Sequence, residues 1–294
     1  MPARILDGLA VAAEIRNQVS ARIARFTLEH GPIRLCAVLV GQDPAARLYA
    51  ESQRRRCLQA GVQHELIELP ETISQAALLE RLHALNADPG ITGIMVQLPL
   101  PAGIDPAVVQ YHIDPYKDVE GVNPANLGLL FYDEPILAPC TALAVNELIR
   151  RSGVSVCGAH AVVVGQSRIV GRPISMFLTT QMATVTACHA ATRELVEHTR
   201  RADILVVAVG RPRLFGAEYV KPGAVVIDVG IHRVQEAGPD GARLSRTVGD
   251  VDFLSVCQVA GAITPVPGGV GPVTVAMLLR NTVEAAQKQL QRRM

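Results

Sequence analysis

The string Gly165-Gln-Ser-Arg-Ile-Val-Gly171 has residue types and spacing suited to holding a phosphate. It follows the apolar run Ala161–Val164 and precedes Arg172-Pro173 and a helical pattern reaching about Met182. Glycines after a strand let backbone approach a phosphate, and a helix N-terminus adds free N–H donors and a positive dipole end. Arg168 and Arg172 are both candidates for a phosphate contact, and spacing does not choose between them. Strand, turn, helix and second strand fall within about 30 residues, as a βαβ unit requires. The spacing is not GxGxxG, so an ordinary βα turn with glycines used for packing fits as well. The second strand ends in Cys188-His-Ala-Ala-Thr192 with no Asp or Glu for a ribose 2′-hydroxyl. That absence disfavours the standard NAD arrangement.

Metal and thiol chemistry find less support. The six cysteines (36, 57, 140, 157, 188 and 257) are scattered, and none forms a CxxC pair. Reduced, mostly buried thiols and no metal site are the expectation. Cys188 and His189 are adjacent, so in a strand they point to opposite faces and mark a strand end.

The elements that must carry these residues are legible as short apolar runs alternating with helical stripes. The runs are Leu35–Val40, Ile91–Leu98, Ala161–Val164, Thr184–Cys188, Ile204–Val209 and Ala224–Val229. Continuous apolar character is how strands buried on both faces of a parallel sheet read. Helical stripes run through Val11, Ile15, Val19, Ile23 and Phe26, through Leu78, Leu82 and Leu85, and through Val275, Leu279, Val283, Ala286 and Leu290. The alternation predicts an α/β chain of two domains with right-handed crossovers, the second a Rossmann-like parallel-sheet domain. Pro- and Gly-rich stretches place the boundary near residues 135–150. The expected division is 1–142, completed by a C-terminal helix over 272–294, and 143–271. Pro272 suits the first turn of that helix.

Composition narrows the class. The 294 residues carry 28 basic and 27 acidic side chains, a formal net charge of +1, with only three lysines: Lys117, Lys221 and Lys288. This balance argues against a nucleic-acid-coating protein. The 49% hydrophobic share excludes intrinsic disorder. No apolar run reaches the ~18 residues of a membrane span, and MPARILDGLAVAAEIRNQV lacks the apolar stretch of a signal peptide. A cytoplasmic globular protein is expected.

Three further strings make the reading specific: Val96-Gln-Leu-Pro-Leu-Pro101, Lys117-Asp-Val-Glu-Gly121 and Ile263-Thr-Pro-Val-Pro-Gly-Gly-Val-Gly-Pro272. With Asp228-Val-Gly230 and Gly249-Asp-Val-Asp252, they resemble the methylenetetrahydrofolate dehydrogenase/cyclohydrolase family, the FolD-like enzymes of one-carbon metabolism. The resemblance runs from Ile5-Leu-Asp-Gly8 to the terminal helix. It implies a folate cleft between two domains, an NADP-binding second domain (NAD possible) and a homodimer without nucleic-acid or membrane partners. It also implies hydride transfer from 5,10-methylenetetrahydrofolate to NADP, followed by hydration of the methenyl product.

By that resemblance the catalytic positions are Tyr49, Gln53, Gln97 and Glu120. Tyr49, Gln97, Leu98, Pro99, Glu120, Pro265, Gly268 and Gly269 would meet the substrate. Thr141, Gly165, Gln166, Ser167, Arg168, Ile169, Val170, His189, Ala190, Thr192, Val209, Gly210, Gly230, Ile231 and Thr264 would meet the cofactor. The family motif Tyr-Val-x-x-Lys-x-Lys is here Tyr49-Ala-Glu-Ser-Gln53-Arg-Arg, so a carboxamide stands where the catalytic lysine belongs. An amine can give and take a proton near neutral pH; a carboxamide cannot, and arginine stays protonated. Cyclohydrolase activity is therefore expected to be weak or absent. Glu120 replaces the aspartate that grips the pterin edge, and Gln166 and Ala190 replace an arginine and a serine that hold the 2′-phosphate. Competing readings are an enzyme for another methylene- or imine-bearing substrate, an NAD(P)-binding pseudoenzyme and an ordinary bifunctional enzyme.

Overall fold

A computed structural model describes residues 2–237 and 243–293, with the side chains of Ala45, Tyr49, Ala237 and Arg243 outside the description. The chain opens with β1 (Arg4–Ile5) and α1 (Gly8–His30), then alternates through β2 (Arg34–Val40), α2 (Pro44–Ala60), β3 (Gln63–Leu69), α3 (Gln75–Ala87) and β4 (Gly93–Val96). Two short helices follow, α4 (Pro106–Tyr111) and α5 (Pro124–Leu129). Next come α6 (Cys140–Ser152), β5 (His160–Val164), α7 (Gly171–Thr180), β6 (Thr184–Cys188), α8 (Leu195–Thr199), β7 (Ile204–Val207) and β8 (Val225–Asp228). The last elements are β9 (His232–Ala237), β10 (Arg243–Val248), α9 (Phe253–Val256), β11 (Ala262–Ile263) and α10 (Val270–Arg293).

Local chemistry explains many of the helix starts. Asp43-Pro44, Asp105-Pro106 and Asn123-Pro124 open α2, α4 and α5. In each pair the first side chain accepts a backbone N–H of the first turn, and the proline supplies a preset φ where no N–H is needed. Asp7 does the same for α1, its Oδ1 accepting from Leu9 and Ala10. Gly61, at φ 90°, closes α2 in the left-handed conformation.

The chain divides into two compact units, one of residues 1–12 and 141–274, the other of residues 13–140 and 275–294. In the second of these, β3-β2-β4 form a three-stranded parallel sheet. One core on it gathers Cys36, Val38, Val40, Leu78, Leu82, Leu85, Ile94 and Val96. In the first, six parallel strands run in the order β1-β11-β8-β7-β5-β6, beside the β9–β10 antiparallel hairpin. Residues 1–12, expected with the first domain, join this unit because β1 pairs with β11, Arg4 opposite Ala262 and Ile5 opposite Ile263.

Other expectations need adjusting. The run Ile91–Leu98 contracts to Gly93–Val96, since Pro99 has no N–H for a ladder. The strands expected at Ile204–Val209 and Ala224–Val229 end at Val207 and Asp228. β6 is an edge strand with Thr184 and Ala187 exposed, not a strand buried on both faces. β3, also an edge, reads Gln-His-Glu-Leu-Ile-Glu-Leu and carries no continuous apolar signal. Among the described residues no helix is long and apolar enough to cross a membrane.

Candidate active site

Gln53 lies on α2 and Gln97 just beyond β4, each only 3% exposed. Gln97 Nε2 donates to Gln53 Oε1 at 3.0 Å, and Gln53 Nε2 points to Met95 Sδ at 2.7 Å. Both ends of the Gln53 amide are thus engaged, and burial without such partners would be costly. Tyr49 precedes Gln53 by one helical turn, but its side chain lies outside the described residues. Leu98 and Pro99 follow Gln97 and are exposed. They share a cis peptide bond.

The Lys117–Gly121 segment is built around hydrogen bonds rather than ion pairs. Lys117 Nζ donates to the carbonyls of Leu85 (3.1 Å) and Asp88 (2.6 Å), so this buried lysine anchors the end of α3. Burial lowers its pKa. Asp118 Oδ2 accepts from Asn123 N–H (2.7 Å) and Asn126 Nδ2 (3.0 Å), while its buried Oδ1 has no partner. Burial pushes Asp118 up to about 6. Glu120 goes further, to about 8, first through desolvation and then through the neighbouring Asp118 charge. Asn281 of α10 secures this segment, donating to the carbonyls of Val119 (2.9 Å) and Ala138 (2.8 Å). Gly121, at φ 71°, has no room for a side chain: a Cβ would stand 2.2 Å from the carbonyl carbon of Ala138.

In the six-stranded unit, β6 lies on one side of β5 and β7 on the other. The carboxyl ends of β5 and β7 therefore form the topological switch point where open α/β sheets bind nucleotides. Gly165 turns there at φ 98°, and a Cβ on it would lie 2.0 Å from the Ala208 carbonyl oxygen. A Cβ on Gly171 would lie 1.7 Å from the Gly165 oxygen. These two glycines let backbone pack directly on backbone ahead of α7.

The other candidates divide between the crevice surface and internal bracing. Ser167 and Arg168 are exposed, and Ile169 and Val170 half-buried. Gln166 folds onto its own turn, its Nε2 donating to the Val163 carbonyl at 3.0 Å. His189 and Ala190 are exposed after β6. Thr192 Oγ1 accepts the His189 N–H at 2.9 Å, and His189 Nδ1 accepts the Ala191 N–H at 3.2 Å. Thr264 is buried, its hydroxyl accepting the Asp228 N–H at 2.8 Å, so it braces β8. Gly230 N–H donates to Asp228 Oδ1 at 3.0 Å, whereas Ile231 is exposed. Thr141 is half-buried in the first turn of α6. Pro265 and Gly268 are half-buried, and Gly269 packs against the start of α1, where a Cβ on Gly8 would meet its oxygen at 1.9 Å.

Two aspartates were missed as candidates. Asp228 is pushed to about 7 by burial, which outweighs N–H donation from Val251, Asp250 and Gly230. Asp250 is wholly buried and accepts from Val209 and Gly210 at 2.6 and 3.0 Å. Their motif strings were visible in sequence, but nothing local reveals that these carboxylates face backbone amides from other loops.

Comparison with known proteins agrees with this geometry. Residues 6–120 match the tetrahydrofolate dehydrogenase/cyclohydrolase catalytic domain, and residues 139–290 match that family's NAD(P)-binding domain. The bifunctional protein FolD of Bordetella avium is 50% identical over 290 residues, covering 99% of each chain. The structure of the Trypanosoma brucei methylenetetrahydrofolate dehydrogenase-cyclohydrolase, complexed with NADP and an inhibitor, is 38% identical with a TM-score of 0.91 over 99% of each chain. A 5,10-methylenetetrahydrofolate dehydrogenase from the silkworm Bombyx mori is 41% identical, with a TM-score of 0.89 over 98% of this chain and 99% of that one.

Proposed function

Because the chain belongs to the tetrahydrofolate dehydrogenase/cyclohydrolase family, we propose that it oxidises 5,10-methylenetetrahydrofolate with NADP. The observation that carries this reading is the Gly165–Gly171 cradle at the β5/β7 switch point, where side chains would collide with backbone. Gly165, Ser167, Arg168 and the amino end of α7 would hold the phosphates, with His189, Ala190 and Thr192 beside the adenosine. The nicotinamide, when bound, accepts the hydride. Hydride transfer depends on alignment more than on proton movement. The Gln53–Gln97 pair is compatible with that task, because Gln53 is a neutral amide fixed by Gln97 and Met95 and does not titrate. Glu120, once ionised, offers a carboxylate to donors on the pterin. A homodimer in the cytoplasm completes the proposal.

For hydration of the methenyl product, ordinary bifunctional activity is the better-supported reading: the Bordetella avium relative, half identical along its whole length, is named bifunctional. The loss expected from Gln53 stands as a second reading on one observation, that the position holds a buried, doubly engaged carboxamide. Steady-state assays of both half-reactions with NADP and with NAD decide. NADP reduction with methenyl hydrolysis above the uncatalysed rate supports the bifunctional enzyme, and reduction alone supports the loss. No reduction with any folate, despite NADP binding, sinks the dehydrogenase in favour of a pseudoenzyme or a different substrate.

A further inference from the structure

Asp250 gathers two parts of one unit that are far apart in sequence. Its Oδ2 accepts the N–H of Val209 and Gly210, and its Oδ1 accepts the N–H of Arg211 at 2.9 Å. His232 Nε2, at the start of β9, lies 2.7 Å from the same Oδ1. Behind Asp250, Asp228 accepts the N–H of Asp250 and of Val251, each at 3.0 Å. Both carboxylates lie close against glycine backbone that leaves them space. A Cβ on Gly230 would stand 2.4 Å from the Asp250 carboxyl carbon, and one on Gly249 would stand 1.8 Å from Asp228 Oδ2.

Three consecutive loop amides on one buried carboxylate make an unusually fixed loop, since hydrogen bonds to a charged acceptor are the strong ones. That loop begins at Ala208, whose carbonyl oxygen excludes any side chain from Gly165. Loop and phosphate turn thus touch across the switch point. The amides of residues 209–211 are spent inside the fold, so they are not available to a phosphate.

We propose that Asp250 is the positioning residue of the cofactor crevice: it sets the loop 209–211 against the Gly165 turn, and His232 locks its carboxylate in that orientation. The proposal rests on the NADP reading above. It leaves phosphate recognition to the β5–α7 turn and makes the β7 loop a preshaped wall. Preorganised walls lower the ordering cost of binding.

The test uses the full chain, with NADP binding measured by calorimetry alongside the thermal midpoint, kcat and both KM values. Asp250→Asn puts an NH2 group where loop amides donate, and His232→Ala removes only the partly exposed lock. Asp250→Asn is expected to weaken NADP binding about tenfold or more. His232→Ala is expected to weaken it about threefold, with folate KM, saturated kcat and thermal midpoint near the parent's. His232→Gln, whose amide can take the place of Nε2, restores binding. If Asp250→Asn does not fold, His232→Ala decides alone. Unchanged NADP affinity in the folded variants overturns the positioning role. So does a uniform fall of every parameter with the thermal midpoint, which marks a general structural role. Absence of NADP binding by the unaltered chain overturns the cofactor reading itself, and this proposal with it.

Discussion

Gln97 donates its side-chain amide to Gln53 across 44 residues of sequence, and both side chains are buried. Gln53→Lys places a titratable amine at that position. If proton transfer is what this chain lacks, methenyl hydrolysis rises by about a hundredfold or more, while NADP reduction changes far less. An unaltered hydrolysis rate in this variant counts against the loss and for the bifunctional reading.

Glu120 supplies a pH dependence. With its carboxyl raised to about 8, it carries a proton at neutral pH and donates rather than accepts. Donor groups on a pterin require the ionised form. The KM for folate is expected to fall as pH rises toward 8, approaching tenfold per unit below it. Glu120→Gln should flatten the profile. A folate KM that is constant from pH 6 to 8 in the unaltered enzyme refutes this role for Glu120.

Stability should follow the opposite trend to substrate affinity. Asp118, Asp228 and Glu120 are raised by burial to about 6, 7 and 8, so the folded chain holds protons that the unfolded chain has released. Their contribution is fully present below the ordinary carboxyl range and is lost as pH rises through each raised value. Calorimetric midpoints are expected to decline from pH 5 to 8.5, with Glu120→Gln removing the portion around pH 8. A midpoint that climbs across this range contradicts the assignment.

Gly165 tests the phosphate cradle. Gly165→Ala meets both a φ of 98° and the Ala208 carbonyl oxygen at 2.0 Å. Destabilisation of at least ~2 kcal/mol is expected. NADP affinity should drop by more than this general loss explains, because the turn must move away from β7. Denaturant titration and calorimetry on one preparation separate the two effects.

Asn281 tests the support behind Glu120. Asn281→Ala leaves the buried carbonyls of Val119 and Ala138 without their side-chain donor, costing about 2–3 kcal/mol. The loss is moderated because Asn281 Oδ1 is itself buried without a partner. A raised folate KM with an unchanged NADP KM is the expected kinetic signature.

Much of this arrangement is legible without coordinates, because it depends on short-range rules. The cores of β2, β4, β5, β7 and β8 are apolar runs because both faces of each strand are covered. Asp-Pro and Asn-Pro pairs announce helix starts because the proline and the capping oxygen act within one turn. The turn after β5 is marked by glycines, and the identity of residue 53 is simply the sequence. Edge strands are harder: β3 and the β9–β10 hairpin expose alternate or most side chains, so apolar continuity does not reveal them.

Tertiary structure alone decided how the polar groups are spent. Lys117 is one of only three lysines, yet its ammonium is committed to the carbonyls of Leu85 and Asp88, and Lys221 is paired with Asp203 at 2.6 Å. Residues 1–12 leave their sequence neighbours because two β1 residues complete the edge of a distant sheet. Asp250 becomes a hub because folding brings three amides and an imidazole to one buried carboxylate. A hydrogen bond depends on what stands within about 3 Å. Residue type and local period encode burial and helix ends, but they carry no record of which distant donor arrives.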